Sequence, residues 1–132
     1  MTETGSKRLL SIAAGWSFLG AGTALLYPSQ HFATLYTTSL SLSDPLQSFF
    51  YRCTWISVLG WGGTYILAAL FPASRKSVLI PGAAGKVAFF AACIGLYSTG
   101  VGKSAIVFAG SVDLLLAVLF AAILFSARPA EK

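Results

Sequence analysis

Charge is the feature that this sequence has least of. Only 10% of its 132 residues are charged and 56% are hydrophobic, with a mean hydropathy of +0.77. Soluble globular domains carry charge on about 25% of their residues. The shortage of charge therefore excludes an ordinary soluble domain and predicts an integral membrane protein, whose first partner is the lipid bilayer.

The residues that build metal and catalytic sites are also scarce. There are two cysteines, Cys53 and Cys93, and one histidine, His31, with no Cys-x-x-Cys motif. No Ser-His-Asp set and no carboxylate pair occurs, so we predict no catalytic residue, metal or cofactor; an enzyme would need chemistry from a bound cofactor or another subunit. We interpret both cysteines as small buried residues, with a disulfide between the second and third spanning helices as the alternative. His31 is interpreted as a solvated loop residue, with a proton carrier as the alternative.

The net charge of +5 does not come from a basic patch. The basic residues are scattered at the ends of apolar segments, which argues against a nucleic-acid partner and is typical of a membrane topology signal. Only Lys103 flanks one side of the membrane, and the other side receives Lys7, Arg8, Arg75, Lys76, Arg128 and Lys132. We therefore expect both termini in the cytoplasm.

Four long apolar runs predict four membrane-spanning helices, because about 20 apolar residues cross the hydrocarbon core. We place them at residues 9–27, 45–70, 78–97 and 104–126. The first run is longer than the roughly 7–15 residues of a signal-peptide core, and we interpret it as a retained helix. The fold class predicted is all-α: a transmembrane four-helix up-and-down bundle forming a single domain over residues 1–132.

The segments outside the spans also carry local signals. Residues 1–6 are polar and are predicted to be a disordered tail. Residues 31–36 contain Phe32, Leu35 and Tyr36, which could dip into the edge of the bilayer and predict an interfacial turn. Asp44 followed by Pro45 is typical of an N-cap and a first helical position, and it sets the start of the second spanning helix.

Three charged residues interrupt the apolar runs. At 1.5 Å per residue, Arg52 and Asp113 lie ~10 and ~14 Å below the outer ends of their helices, and Lys86 lies ~12 Å above the inner end of its own. An ionised side chain at such depth is costly, so Asp113 is expected to be protonated or paired with Arg52, with Lys86, or with both. Three interpretations stay open: a structural ion pair, cations that extend to the interface, or a polar cavity for an anionic or polar ligand or a proton.

The second spanning helix is rich in aromatic residues. Tyr51 and Trp55 are four residues apart, as are Trp61 and Tyr65, so each pair shares a face. Arg52 and Trp55 have a spacing that suits a cation–π contact. These rings either pack and anchor the helix at the interface, or line a pocket around Arg52 for a flat hydrophobic molecule such as a quinone or sterol-like lipid.

The motifs at residues 59–65 (LGWGGTY), 68–72 (AALFP) and 82–86 (GAAGK), together with Arg52 and Asp113, resemble those of small uncharacterised four-helix bacterial membrane proteins. That group is loosely similar to DoxX-like proteins. The resemblance implies an inner-membrane protein in which the Arg, Lys and Asp positions recur as a set. The wider group includes redox-associated membrane subunits, but no motif in this chain carries that activity.

Function is predicted only at the level of class. The first hypothesis is a non-enzymatic accessory subunit, or a binder of a lipid or small hydrophobic or anionic ligand, built around a polar core of Arg52, Lys86 and Asp113. The second is a transporter or proton-coupled protein that uses Asp113. The third is a redox or quinone-associated subunit with the aromatic face as its binding wall. A membrane protein partner or a second copy of the chain is compatible with each.

Overall fold

The computed structural model describes residues 2–39 and 41–126, and this part of the chain is helical, with no β-strand. It contains five α-helices and one short 3₁₀ turn, Pro72–Ser74. The α-helices are α1 (Glu3–Leu26), α2 (Pro28–Leu35), α3 (Pro45–Leu70), α4 (Arg75–Ser98) and α5 (Ser104–Ser126). The bounds of α3 and of α5 agree with those predicted from the sequence. The topology signals Arg128 and Lys132 lie outside the described residues.

Four of the helices are long and apolar enough to cross a membrane: α1, α3, α4 with its preceding turn, and α5. The length and composition of these helices indicate a helical integral membrane protein. Helix α3 begins as the sequence indicates, because Asp44 Oδ1 accepts hydrogen bonds from the amides of Leu46 and Gln47 at 2.9 and 3.0 Å. Helix α4 begins at Arg75 rather than at the predicted Val78.

The predicted disordered tail is wrong for the residues that the structure describes. Helix α1 begins at Glu3, because the Thr2 hydroxyl accepts a hydrogen bond from the Gly5 amide at 3.1 Å and so caps the helix. Ser6 is buried, and its hydroxyl donates to the Thr2 carbonyl at 3.2 Å. A cap and a long-range contact of Glu3 with Arg75 together order a segment that looks like a polar tail in the sequence.

The segment predicted as an interfacial turn is instead a helix of eight residues, α2. Pro28 lies at its first turn, where its missing amide hydrogen costs nothing. Leu35 at its C-terminal end is 9% exposed and packs against Cys93 and Ile106. Helix α2 therefore folds back onto the bundle and covers the end of α4 and α5.

The spanning helices form two pairs, α1 with α3 and α4 with α5, which have by far the most extensive contacts. Small residues allow each pair to approach closely: Gly62 of α3 faces the ring of Phe18, and Gly110 of α5 faces Cys93. The two pairs meet in one apolar core. Its fully buried members include Leu10, Leu79 and Phe120, one each from α1, α4 and α5.

The end of the bundle that carries Glu3, the 71–75 turn and Ser126 is called here the terminal end. Arg75 connects three helices at this end. Its two terminal nitrogens donate to the two carboxylate oxygens of Glu3 at 2.7 Å each, and its Nε donates to the Ala68 carbonyl at 3.0 Å. A two-pronged Arg–carboxylate contact fixes orientation as well as distance, so it holds α1 against the junction of α3 and α4.

The opposite end, formed by α2 and residues 99–103, is called the α2 end. Gly100 adopts a positive φ of 75°, which allows the chain to turn sharply after α4. The backbone then pairs with the segment after α2, through Thr37 N to Val101 O at 2.9 Å and Lys103 N to Leu35 O at 2.8 Å. These bonds attach α2 to the connection between α4 and α5.

The close approach of α4 and α5 is testable at Gly110. A Cβ atom there would lie 3.1 Å from both Cβ and Sγ of Cys93 and 3.3 Å from the Phe90 ring, whereas a Cβ at Gly85 meets nothing within 4 Å. We expect Gly110→Val to lower the free energy of unfolding by about 1–3 kcal/mol, the usual cost of overpacking. Gly85→Val is the matched control. Thermal unfolding in detergent measures both, and equal stability of the two variants would contradict the packing described.

Candidate functional site

A buried ion pair between α4 and α5 lies near the middle of the bundle. The ammonium group of Lys86 donates a hydrogen bond to Oδ1 of Asp113, and their side chains are only 10% and 15% exposed. By helical rise, Lys86 is ~16 Å from the start of α4 and Asp113 is ~14 Å from the start of α5. The pairing that the sequence left open is therefore formed with Lys86, at a depth where neither charge can reach bulk water.

Tyr65 of α3 covers this pair. Lys86 Nζ lies 5.6 Å from the centroid of the Tyr65 ring, and the same ring packs against Phe120 at 5.1 Å between centroids. Gly82 makes the contact sterically feasible, because a Cβ there would lie 3.0 Å from the Tyr65 hydroxyl oxygen. Tyr65, Lys86 and Asp113 are together called the polar core. It joins the α4–α5 pair to α3 through a charge and a ring.

Arg52 is not part of the polar core, so the three-way network considered from the sequence is not formed. Its side chain is exposed on α3, and within residues 2–39 and 41–126 it has no ion pair and no hydrogen bond. The physical reason is its position around the helix. Tyr65 is 13 positions after Arg52, and at about 100° per residue this separation leaves the two side chains about 140° apart around the helix. Tyr65 faces the interior of the bundle, and Arg52 therefore cannot.

The aromatic pairs of α3 form as their spacing predicts, but their members lie in different environments. Tyr51 and Trp55 have ring centroids 6.3 Å apart, and Trp61 and Tyr65 have theirs 5.9 Å apart. Trp61 is 38% exposed on the outside of the bundle, whereas Tyr65 is 2% exposed in the polar core. These rings do not line one pocket around Arg52, and the predicted Arg52–Trp55 cation–π contact is not found among the described residues.

His31 was expected to be a solvated loop residue, and that interpretation is wrong. It is half-buried in α2, with its ring edge-on to Trp55 at 4.6 Å between centroids. Its Nδ1 lies 3.1 Å from the Tyr51 hydroxyl oxygen, which also lies 3.2 Å from the Ala24 carbonyl and 3.4 Å from the Pro28 carbonyl. A hydroxyl has one hydrogen, and when Tyr51 donates it to a carbonyl, the imidazole Nδ1–H is the donor to Tyr51. The remaining nitrogen, Nε2, is then an acceptor.

A groove lies beside His31, between the end of α1 and α2. It has a volume of about 380 Å³, and its lining residues are Thr23, Tyr27, Gln30, His31 and Thr34. Its walls are mostly apolar. Nε2 of His31 has no hydrogen-bond partner in the described part of the chain. Every buried side-chain nitrogen or oxygen in that part does have a partner, so an atom without one is not buried. Nε2 therefore has accessible surface, and the groove is the cavity that His31 lines.

The cysteines do not form the disulfide considered as an alternative. Both are free: Cys93 is buried against Gly110, whereas Cys53 is exposed on α3. The interpretation as small buried residues therefore holds for Cys93 and is wrong for Cys53. Within the described residues no group of three or more His, Cys, Asp or Glu side chains could hold a metal ion.

The polar core predicts a large effect of removing one charge. Asp113→Asn leaves the Lys86 ammonium buried without an anion, and we expect a loss of about 3–5 kcal/mol in unfolding free energy. Arg52→Gln removes a charge from the same bundle but breaks no intramolecular pair, and it should leave stability unchanged. Unfolding in detergent compares the two. Wild-type stability of Asp113→Asn, or an equal loss in Arg52→Gln, would show that the pair does not hold the fold.

His31 predicts a pH dependence at the α2 end. Burial lowers the pKa of its imidazole below the usual value of about 6.5. The neutral imidazole of His31 therefore stabilises the fold fully above the pKa that it has in the unfolded chain. This stabilisation is lost as the pH falls from that pKa toward the lower pKa of the folded protein. The unfolding temperature should drop between about pH 8 and about pH 5. In His31→Gln this part of the drop should disappear, because glutamine does not titrate. Parallel profiles of the wild type and His31→Gln would contradict the assignment.

Comparison of the chain with protein-family models, with curated protein sequences and with solved structures finds no match. The described residues offer three features on which a function could depend: an ion pair in the middle of the bundle, a groove at the α2 end, and an exposed arginine on α3.

Proposed function

We propose that this chain is a small integral membrane protein without an enzymatic activity of its own, which binds a lipid or small hydrophobic molecule and acts as an accessory subunit. The groove beside His31 is the observation that supports this proposal. The groove is open to the surface, with four of its five lining residues exposed, and its volume of about 380 Å³ is large enough for a small molecule. Mostly apolar walls with a few polar side chains are the usual composition of such sites.

The polar groups of the groove indicate how a ligand would be oriented. In the tautomer in which Nδ1–H donates to Tyr51, the Nε2 atom of His31 is a hydrogen-bond acceptor, and Gln30 and Tyr27 add an amide and a phenol. The hydroxyls of Thr23 and Thr34 already donate to backbone carbonyls of their own helices. A ligand with a hydroxyl head group and an apolar body would satisfy Nε2 and bury its body against the walls.

The polar core has a structural role in this proposal. Lys86 and Asp113 satisfy each other, and Tyr65 closes over them. The ligand-binding role that the sequence suggested for Lys86, Asp113 and the aromatic face is therefore assigned to the groove at the α2 end instead. The ion pair fixes the register of α4 against α5, on which α2 rests.

We further propose that the protein resides in a bacterial inner membrane as a DoxX-like bundle, with the terminal end in the cytoplasm. The support for this orientation is the distribution of basic residues. Lys7, Arg8, Arg75 and Lys76 are at the terminal end, and Lys103 is at the α2 end. In that orientation the groove faces the outer side. The exposed apolar surface of the helices contacts lipid, a membrane protein partner or a second copy of the chain.

A second candidate function, proton coupling, is favoured by one observation at Tyr65. The Tyr65 ring lies 5.6 Å from Lys86 Nζ, and its hydroxyl makes no hydrogen bond within the described part of the chain. Since no buried side-chain oxygen there lacks a partner, this hydroxyl is accessible at the surface beside the Lys86–Asp113 pair. A polar group in that position could exchange a proton with Asp113 when the pair opens. Proton uptake by proteoliposomes that is lost in Asp113→Asn but kept in Arg52→Gln would favour this candidate over the binding function.

The binding function is tested by filling the groove. Thr34→Trp places a large ring among the lining residues, and Thr54→Trp is its matched control, because Thr54 is exposed on α3 and its hydroxyl also donates to the carbonyl four residues before it at 2.9 Å. Gentle solubilisation followed by native mass spectrometry should show a small molecule, distinct in mass from any phospholipid, on the wild type and on Thr54→Trp, and should not show it on Thr34→Trp.

An added probe makes the same test independent of copurification. 4-Octylphenol should bind the wild type saturably in calorimetry, and 4-octylanisole, which lacks the hydroxyl hydrogen, should bind about tenfold more weakly, because one hydrogen bond is lost. Absence of saturable binding, or equal binding by Thr34→Trp and Thr54→Trp, would contradict the proposed function.

A further inference from the structure

Arg52 is a cation without an anion in the described part of the chain. Every acidic side chain described there already has a partner: Glu3 binds Arg75, Asp113 binds Lys86, and Asp44 accepts the first amides of α3. The other cation at the α2 end, Lys103, is also occupied, since its ammonium donates to the Ala33 carbonyl. The unbalanced positive charge within the membrane-spanning part of this end is therefore that of Arg52.

The surroundings of Arg52 are those of a lipid-facing surface. Its neighbours one turn before and one turn after on the same face, Phe49 and Ile56, are 59% and 57% exposed. Large apolar side chains with that exposure on a spanning helix lie against acyl chains. Arg52 itself is ~10 Å from the start of α3, and Tyr51 and Trp55 on the same turns are of the type that anchors helices at the membrane interface.

A guanidinium group at this depth is stabilised by an anion. It cannot be neutralised by losing a proton, and its transfer into hydrocarbon is unfavourable. Its long side chain can extend toward the head groups while its methylene groups stay among the acyl chains. The planar fork of nitrogens matches two oxygens of a phosphate, which a lysine ammonium cannot do.

We propose that Arg52 is a phospholipid-binding site, in which the guanidinium binds the phosphate of a head group in the leaflet at the α2 end. Phe49 and Ile56 contact the acyl chains of the same lipid. The site is separate from the groove beside His31 and does not depend on the function proposed for that groove. Its ligand is defined by a phosphate attached to an apolar body.

The experiment compares lipid retention by native mass spectrometry of the full chain. The lipids offered are phosphatidylglycerol, phosphatidylcholine and diacylglycerol, the last having the apolar body without the phosphate. We expect the wild type to retain both phospholipids and not diacylglycerol. Arg52→Gln should reduce phospholipid retention by about tenfold or more, because a charge-assisted contact is lost. Arg52→Lys keeps the charge but not the fork, and it should retain an intermediate amount.

Three controls make the result decisive. Arg8→Gln removes an exposed arginine at the terminal end and should not change the retention assigned to Arg52. Thr34→Trp blocks the groove and should not change it either, so this site and the groove can fail separately. Inorganic phosphate should not compete. Equal retention by wild type and Arg52→Gln, equal binding of diacylglycerol, or displacement of the lipid by inorganic phosphate would each overturn the proposal.

Discussion

The Lys86–Asp113 ion pair is the interaction on which the rest of this structure depends. Each partner alone would be an uncompensated charge near the middle of a bundle that is otherwise apolar. Pairing removes that cost only when α4 and α5 lie in one register and at close range, and Gly110 against Cys93 permits that range. The pair therefore acts as a constraint: it selects one alignment of α4 with α5, and Tyr65 transmits that alignment to α3.

The two ends of the bundle are built differently around this constraint. At the terminal end, Arg75 binds Glu3 and the Ala68 carbonyl, which closes the helices on one another. At the α2 end, a short helix rests on the connection between α4 and α5 and leaves a groove beside His31. A bundle with one closed and one recessed end is compatible with the proposed binding of an amphiphile at the interface, and Arg52 is the proposed lipid site on the outside of α3.

The sequence predicts the helices better than it predicts their contacts. Apolar runs and the Asp44–Pro45 start gave α3 its bounds, because these signals are local. The Lys86–Asp113 pair was one of several pairings left open, since choosing it requires knowing that α4 packs along α5. The exclusion of Arg52 follows from helical rotation relative to Tyr65, but only once the interior face of α3 is known.

Other contacts had no local signal. Glu3 and Arg75 are 72 residues apart, and His31 and Tyr51 are 20 apart, across a chain reversal. Hydrogen bonds of this kind depend on how helices are placed relative to one another, and hydropathy and spacing do not contain that information. Pro28 after an apolar run is the one local signal of α2, because proline favours the first turn of a helix.

The most direct test of the central claim is solid-state NMR of the protein in lipid, with ¹³C-aspartate and ¹⁵N-lysine labels in an Asp44→Asn background. Asp113 is then the only labelled carboxyl, since the chain has no other aspartate. An ionised pair predicts a carboxylate chemical shift at neutral pH and a dipolar correlation from Asp113 Cγ to a lysine Nζ that disappears in Lys86→Met. A protonated carboxyl shift without that correlation would contradict the account.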